Sequence, residues 1–213
     1  MDTKINQTIS SHLFAYKESI FFNYFDLCPF PWEVWEHLIA KFFMDKIPFS
    51  QKYSGVFFLN KSSIYIEEGV KIAKGATIEG PCYLGKNVTI GTNVSIRAGT
   101  FLAPNVCIGH CSEIVRSIFF EGAKAAHFNY VGDSVIGKNV NLGAQAVLAN
   151  LRLDEKNVDI LFEKQRISTR KRKFGSLVGD FASIGCGAVL NPGTIISKKV
   201  KILPLTTQKG HIT

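Results

Sequence analysis

Every sixth residue from position 66 to position 114 is aliphatic: Ile66, Ile72, Ile78, Leu84, Ile90, Ile96, Leu102, Ile108 and Ile114. Side chains recur on one face every 3.6 residues in a helix and every two in a strand, so neither element alone produces this period. The fifth residue of each hexad is small or β-branched, as at Val70, Ala76, Cys82 and Val88, and turn formers such as Gly85, Asn87, Pro104 and Asn105 fill the intervening positions. Each hexad therefore reads as one short strand and one corner. The aliphatic side chain points inward, the small residue fits the bend, and Gly or Asn accepts a positive φ. Three hexads close one triangular coil of a parallel β-helix. The pattern resumes in a new phase at Tyr130, Ile136, Leu142 and Leu148, and after a longer interruption at Val178, Ile184, Leu190, Ile196 and Ile202. Six coils follow, a prism about 29 Å long at the ~4.8 Å spacing of paired strands.

The pattern divides the chain into an aromatic-rich, partly helical segment 1–60, a β-helix over 61–205 carrying an arm at 152–174, and a tail at 206–213. Pro31 suits a first helical turn, Glu33 and Glu36 complement the helix N-terminus, and Val34, Trp35, Leu38, Ile39, Phe42 and Phe43 share one apolar face. Such a helix caps the open end of the solenoid or joins subunits. A substrate or membrane contact through Phe21, Phe22, Tyr24 and Phe25 is the alternative.

The 213 residues are 46% hydrophobic, enough for one sizeable core. Five cysteines without a Cys-x-x-Cys motif suggest reduced thiols rather than disulfides or a zinc knuckle. The start of the chain lacks an apolar leader and no run is long enough to span a bilayer, so the cytoplasm is the expected compartment. Net charge is +8, and Lys164, Arg166, Arg170, Lys171, Arg172 and Lys173 concentrate the excess in the arm. Weak alternation at Val158, Ile160, Phe162 and Ile167 makes that arm a projecting hairpin. The basic run is either a solvated face or a phosphate site. Nucleic acid is disfavoured, because only Phe174 interleaves with the cations.

The chemically suggestive stretch is Lys124-Ala125-Ala126-His127-Phe128-Asn129-Tyr130-Val131-Gly132-Asp133, followed by Asn141-Leu142-Gly143-Ala144. A neutral imidazole is a suitable general base for an attacking amine or hydroxyl, although a lone histidine is more often structural. His110 and His127 are the only histidines of the expected solenoid, so no metal site is expected.

These motifs, with Ala149-Asn150-Leu151-Arg152-Leu153-Asp154 and Lys173-Phe174-Gly175, resemble the acetyltransferase half of bifunctional sugar-1-phosphate nucleotidylyltransferase/acetyltransferases. Phe30-Pro31-Trp32-Glu33 is similar to an element of short stand-alone members of that group. The resemblance implies a left-handed β-helix, a homotrimer, and acetyl transfer from acetyl-CoA to an amino-sugar phosphate or sugar nucleotide without a metal. It implies His127 as the base, Arg97, Tyr130, Asn141 and Asn150 around the sugar phosphate, and Lys156 and Lys173 as phosphate or arm contacts. The N–H near Ala144 would face the oxyanion, and acetyl-CoA would lie near Cys186 between subunits.

Three features depart from the family. Val115 follows Glu113-Ile114 where a lysine is usual, with Arg116 expected on the opposite side of the strand; Gln145 replaces a glycine; Leu151 replaces a tyrosine. No Gly-rich phosphate loop begins the chain, so the nucleotidylyltransferase half of those proteins is expected to be absent. The competing class is a non-catalytic sugar-nucleotide-binding or assembly protein, favoured by Val115 and Gln145 and opposed by His127, Tyr130 and Asn141.

Overall fold

The aliphatic hexad positions point into a common interior. In the computed structural model, which describes residues 9–15, 19–42 and 53–213, Ile78, Ile96, Ile114, Ile136, Leu148, Val178 and Leu190 are fully buried. Short parallel strands stack into three faces. The first begins with Phe57–Leu59 and Thr77–Glu79 and ends with Thr207–Gln208, the second runs from Ile64–Ile66 to His211–Ile212, and the third from Lys71–Ile72 to Lys201–Ile202. They contain eight, eight and seven strands. This is the left-handed parallel β-helix of hexapeptide-repeat proteins. It is longer than the six expected coils, about 34 Å between the end strands of an eight-stranded face at ~4.8 Å per step. Residues 206–213 are thus coil and not a tail: Val189 pairs with Thr207 and Ile195 with His211. His211 is accordingly a third histidine of the solenoid.

The apparent break between 114 and 130 is a register change. Ile96 pairs with Ile114 at a spacing of eighteen, but Ile114 pairs with Val131 and Val131 with Leu148 at seventeen. One residue is missing from the corner between the first and second faces in two successive coils. Val131 therefore points inward, and Tyr130, assigned to the interior by the hexad count, stands outside and half-buried. Arg116 and Asp133 occupy the shortened corners at φ values of 42° and 47°. In the third coil the arm is inserted at the same place, and Gly175 returns the chain to the coil. A Cβ there would collide with the Gly132 carbonyl and Ser134 Oγ.

The second face is apolar on both sides. Tyr83, Phe101, Ile118, Val135, Leu177 and Ile195 point outward from it and are nevertheless buried. The described part of the N-terminal segment covers them. Phe14, Phe21 and Phe25 pack on Phe120 with ring centroids 5.2, 6.2 and 5.3 Å apart, and Phe21 meets Phe101 at 6.2 Å. Burial of Phe21 and Phe25 removes them from any substrate or membrane contact. Pro31 opens a short 3₁₀ turn, Pro31–Glu33, that runs into the helix Val34–His37; Val34, Trp35 and Leu38 are buried. The side chain of Phe42, and Phe43 altogether, lie outside the described residues.

The arm forms the expected hairpin, Asp159–Phe162 against Gln165–Ser168. It does not project. Val158, Ile160 and Phe162 are buried in the same layer as Leu177 and Ile195, so the alternation turns an apolar edge onto the second face. Each fully buried aliphatic or aromatic side chain stabilises by about 1.5–3 kcal/mol. The chain therefore has two apolar layers, one inside the coil and one on its second face.

Candidate functional site

His127 lies where the third face turns into the first, and its side chain is exposed. Each coil places one residue in this column, linked to the next by a backbone hydrogen bond: Phe128 N donates to His110 O, Gln145 N to His127 O (3.0 Å), and Gly187 N to Ala144 O (2.8 Å). His127, Ala144 and Cys186 thus occupy consecutive levels of one prism edge. Buried Asn129 fixes this edge. Its Oδ1 accepts the His127 N–H at 3.1 Å, while its Nδ2 donates to the Gly143 and Ala146 carbonyls at 2.7 and 3.3 Å. The Ala144 N–H between them donates to no group among the described residues. A fixed, unpaired amide can stabilise a developing oxyanion. Cys186 is exposed and free.

Tyr130 faces outward from the first face, three residues beyond His127. Its hydroxyl donates to Asn150 Oδ1 at 3.4 Å, and burial raises its pKa, which keeps it a donor. Asn150 Nδ2 donates in turn to Asp133 Oδ2. Asp133 is 3% exposed and also pairs with Arg116 through Nε and Nη2. Burial raises the Asp133 pKa, and Arg116, Asn150 and Lys173 offset part of that rise. Arg116 does not lie on the opposite side of the strand. The strand ends at Val115, and the positive φ of the next residue turns its side chain outward to Asp133. Arg97, on the same face, is held between Glu79 and Glu113 at 3.2 and 3.1 Å.

A pocket of about 720 Å³ opens at this shortened corner. Arg116 and Asp133 form its floor, Leu151, Lys171, Arg172, Lys173 and Phe174 one wall, and Trp35, Glu36 and Ile39 of the N-terminal layer the other. Lys173 is the one substrate candidate that lines it. Lys156 is exposed in the loop entering the arm, away from this pocket, and Asn141 stands on the third face in register with Lys124 and Ser183. Within one chain, then, His127, Ala144 and Cys186 share an edge, and Tyr130 and Asn150 share a hydrogen-bonded corner. Asn141 looks away from both. Arg116, Asp133, Asn129 and Trp35 were not among the expected site residues. The five-residue steps from Ile114 to Phe119 and from Val131 to Ile136 carried the signal for the first two.

The profile of the family described as the GMPPB C-terminal domain matches residues 62–170, just over half of the sequence. The chain belongs to this family. It is also 38% identical over 176 residues to a bifunctional sugar-1-phosphate nucleotidylyltransferase/acetyltransferase of Sulfurisphaera tokodaii, an alignment covering 82% of the chain and 43% of that protein. It is 36% identical over 166 residues to the bifunctional protein GlmU of Methanocaldococcus jannaschii, covering 76% and 40%. The chain spans less than half the length of these curated relatives. The resemblance drawn from the histidine segment is therefore borne out. A hexapeptide transferase family protein from Anaplasma phagocytophilum superposes with a TM-score of 0.52 at 18% identity, over 75% of this chain and 81% of that one, and shares the fold. Among the described residues no three His, Cys, Asp or Glu side chains group as a metal site.

Proposed function

We propose that the chain transfers an acetyl group from acetyl-CoA to the amine of an amino-sugar phosphate, with glucosamine 1-phosphate as the reference compound, or of a sugar nucleotide. His127 takes a proton from the amine as its nitrogen attacks the thioester carbon. The Ala144 N–H steadies the oxyanion. Collapse breaks the C–S bond, and the CoA sulfur leaves with the proton that His127 returns. The observation that carries this reading is the single edge on which an exposed imidazole and a free amide stand one coil apart, with Asn129 holding the backbone of His127 and the carbonyls on either side of the Ala144 amide. Tyr130, Asn150 and Arg97 orient the sugar and its phosphate, and acetyl-CoA runs along the edge past Cys186.

The assembly is a homotrimer. Faces one and three meet at a convex edge, so Tyr130 and Asn141 of one chain point apart, and a neighbouring copy has to supply the Asn141 that faces a sugar on Tyr130. The cytoplasm, where acetyl-CoA is made and used, is the proposed compartment; among the described residues no helix is long and apolar enough to cross a membrane.

The test is release of CoA thiol with a panel of amino-sugar phosphates and nucleotide-linked amino sugars. His127→Ala should lower kcat by roughly 10²- to 10⁴-fold while leaving thermal stability unchanged, because the side chain is exposed. A variant that retains full activity removes His127 as the base. A second reading, a non-catalytic sugar-nucleotide binder, is favoured by Gln145, whose exposed side chain at φ 60° adjoins Ala144. Tight binding of a panel member without any transfer would support it.

A further inference from the structure

The pocket at the shortened corner does not include His127 in its lining. Asp133 lies six positions after His127, at most about 20 Å of extended chain. The pocket combines two chemistries. Ile39 and Leu151 give it an exposed apolar wall beside the nearly buried rings of Trp35 and Phe174, and four cations against Glu36 and Asp133, with Arg172 also paired to Glu155 at 2.9 Å, leave a surplus of one positive charge.

The polar groups are only partly engaged. Arg116 spends Nε and Nη2 on Asp133, which leaves Nη1 without a partner among the described residues. Lys171 pairs with Glu36 at 3.0 Å. The Lys173 ammonium bonds to no side chain among the described residues. Trp35 is 6% exposed, and its indole N–H is one of two buried side-chain polar atoms without a partner among the described residues. A buried donor left unsatisfied is costly, and a guanidinium edge is suited to phosphate oxygens. At 720 Å³ the space lies within the roughly 300–1,000 Å³ of small-molecule sites.

We propose that this pocket binds the nucleoside diphosphate portion of the acceptor, so that the amine presented to His127 belongs to a nucleotide-linked amino sugar. The two phosphates lie against Arg116 and Lys173, and the base lies on the exposed side chains of Ile39 and Leu151. The Tyr130–Asn150–Asp133 chain of hydrogen bonds joins the pocket to the sugar position, whereas Ala144 and Cys186 follow the other edge, which separates this ligand from the acyl donor. The assignment of the sugar rests on the acetyl-transfer reading; the binding of a nucleoside diphosphate does not.

Isothermal titration of the whole chain with uridine, guanosine, adenosine and thymidine diphosphates, inorganic pyrophosphate and CoA tests the proposal. At least one nucleoside diphosphate should bind tenfold or more tighter than pyrophosphate. Lys173→Glu should weaken that binding at least tenfold at a temperature well below its own melting point, and Trp35→Phe should weaken it less. CoA should not displace the nucleotide. The proposal is overturned if pyrophosphate binds as tightly as every nucleotide, if CoA competes for the site, or if Lys173→Glu has no effect. Transfer to a sugar monophosphate with no nucleotide binding sinks this inference alone; nucleotide binding that survives a complete absence of transfer sinks the catalytic reading and leaves the pocket.

Discussion

Replacing Arg116 with leucine isolates the charge of Asp133. In the native corner that carboxylate is 3% exposed and is held by the Arg116 guanidinium and the Asn150 amide. The substitution leaves Asn150 and the more distant Lys173. Exposed ion pairs contribute ~0–1 kcal/mol, and removing one partner of a fully buried pair costs about 3–5 kcal/mol. Here Asp133 is buried while the Arg116 side chain is 48% exposed, so the cost should be about 2 kcal/mol, midway between these ranges. In a chain of this length each kcal/mol moves Tm by about 2–4 °C, giving a loss of about 4–8 °C near neutral pH.

The dependence on pH has a definite sign. Burial holds the folded pKa of Asp133 above its ordinary value, so the group favours folding when protonated and that contribution is lost as pH rises through the folded pKa. Arg116→Leu raises this pKa further. The stability gap between native protein and variant should therefore close toward acid and open as pH rises above the carboxylate range. Thermal melts from about pH 4 to about pH 8, on the single variants Arg116→Leu and Asp133→Asn and on the double variant, measure both effects. With the amide in place, loss of Arg116 should cost less than about 1 kcal/mol. A gap that stays constant with pH, or strictly additive variants, would falsify the reasoning.

Four further outcomes are expected. Asn129→Ala takes one donor from the Gly143 and Ala146 carbonyls and the acceptor from the His127 N–H, so it should lower stability by about 1–3 kcal/mol and acetyl transfer more than its melting curve explains; unchanged activity would remove Asn129 as a positioning residue. Phe101→Ala and Leu102→Ala alter opposite sides of one strand and should each cost about 2–5 kcal/mol, but hydrogen exchange should accelerate in residues 9–42 for the first and in the neighbouring coils for the second; identical patterns would refute a separate outer layer. His12 Nε2 and His211 Nε2 lie 3.0 and 2.9 Å from Ser197 Oγ, and burial, then His12, lowers the His211 pKa. This contact is stabilising above about pH 6.5 and is lost as pH falls through the lowered value, so acid should speed exchange at residues 9–13 in the native protein and not in His211→Asn. Light scattering should report three chains per particle, and a stable monomer would remove the shared acyl-CoA site.

Residues such as Ile78, Ile96 and Leu190 announced the coil because every strand there is two or three residues long and one aliphatic per hexad must face inward. The second face was equally visible in principle. Cys82-Tyr83-Leu84 and Thr100-Phe101-Leu102 place an aromatic before the inward aliphatic, and such a residue must be covered by something outside the coil. What covers it could not be read, because the contacts of Phe21 and Phe25 with Phe120 join segments about one hundred residues apart.

The sequence by itself determined the β-helix, the family, and the exposed histidine segment, because these depend on local period and on motifs a few residues long. Only the tertiary structure decided that Tyr130 stands outside and Val131 inside, that Arg116 meets Asp133, and that Trp35 closes a pocket over Lys173. A corner one residue short shifts every following side chain by one position, and its effect appears only when successive coils are paired. The pocket draws on three segments far apart in the chain, and their meeting is set by which apolar surfaces remain to be buried after the coil has closed.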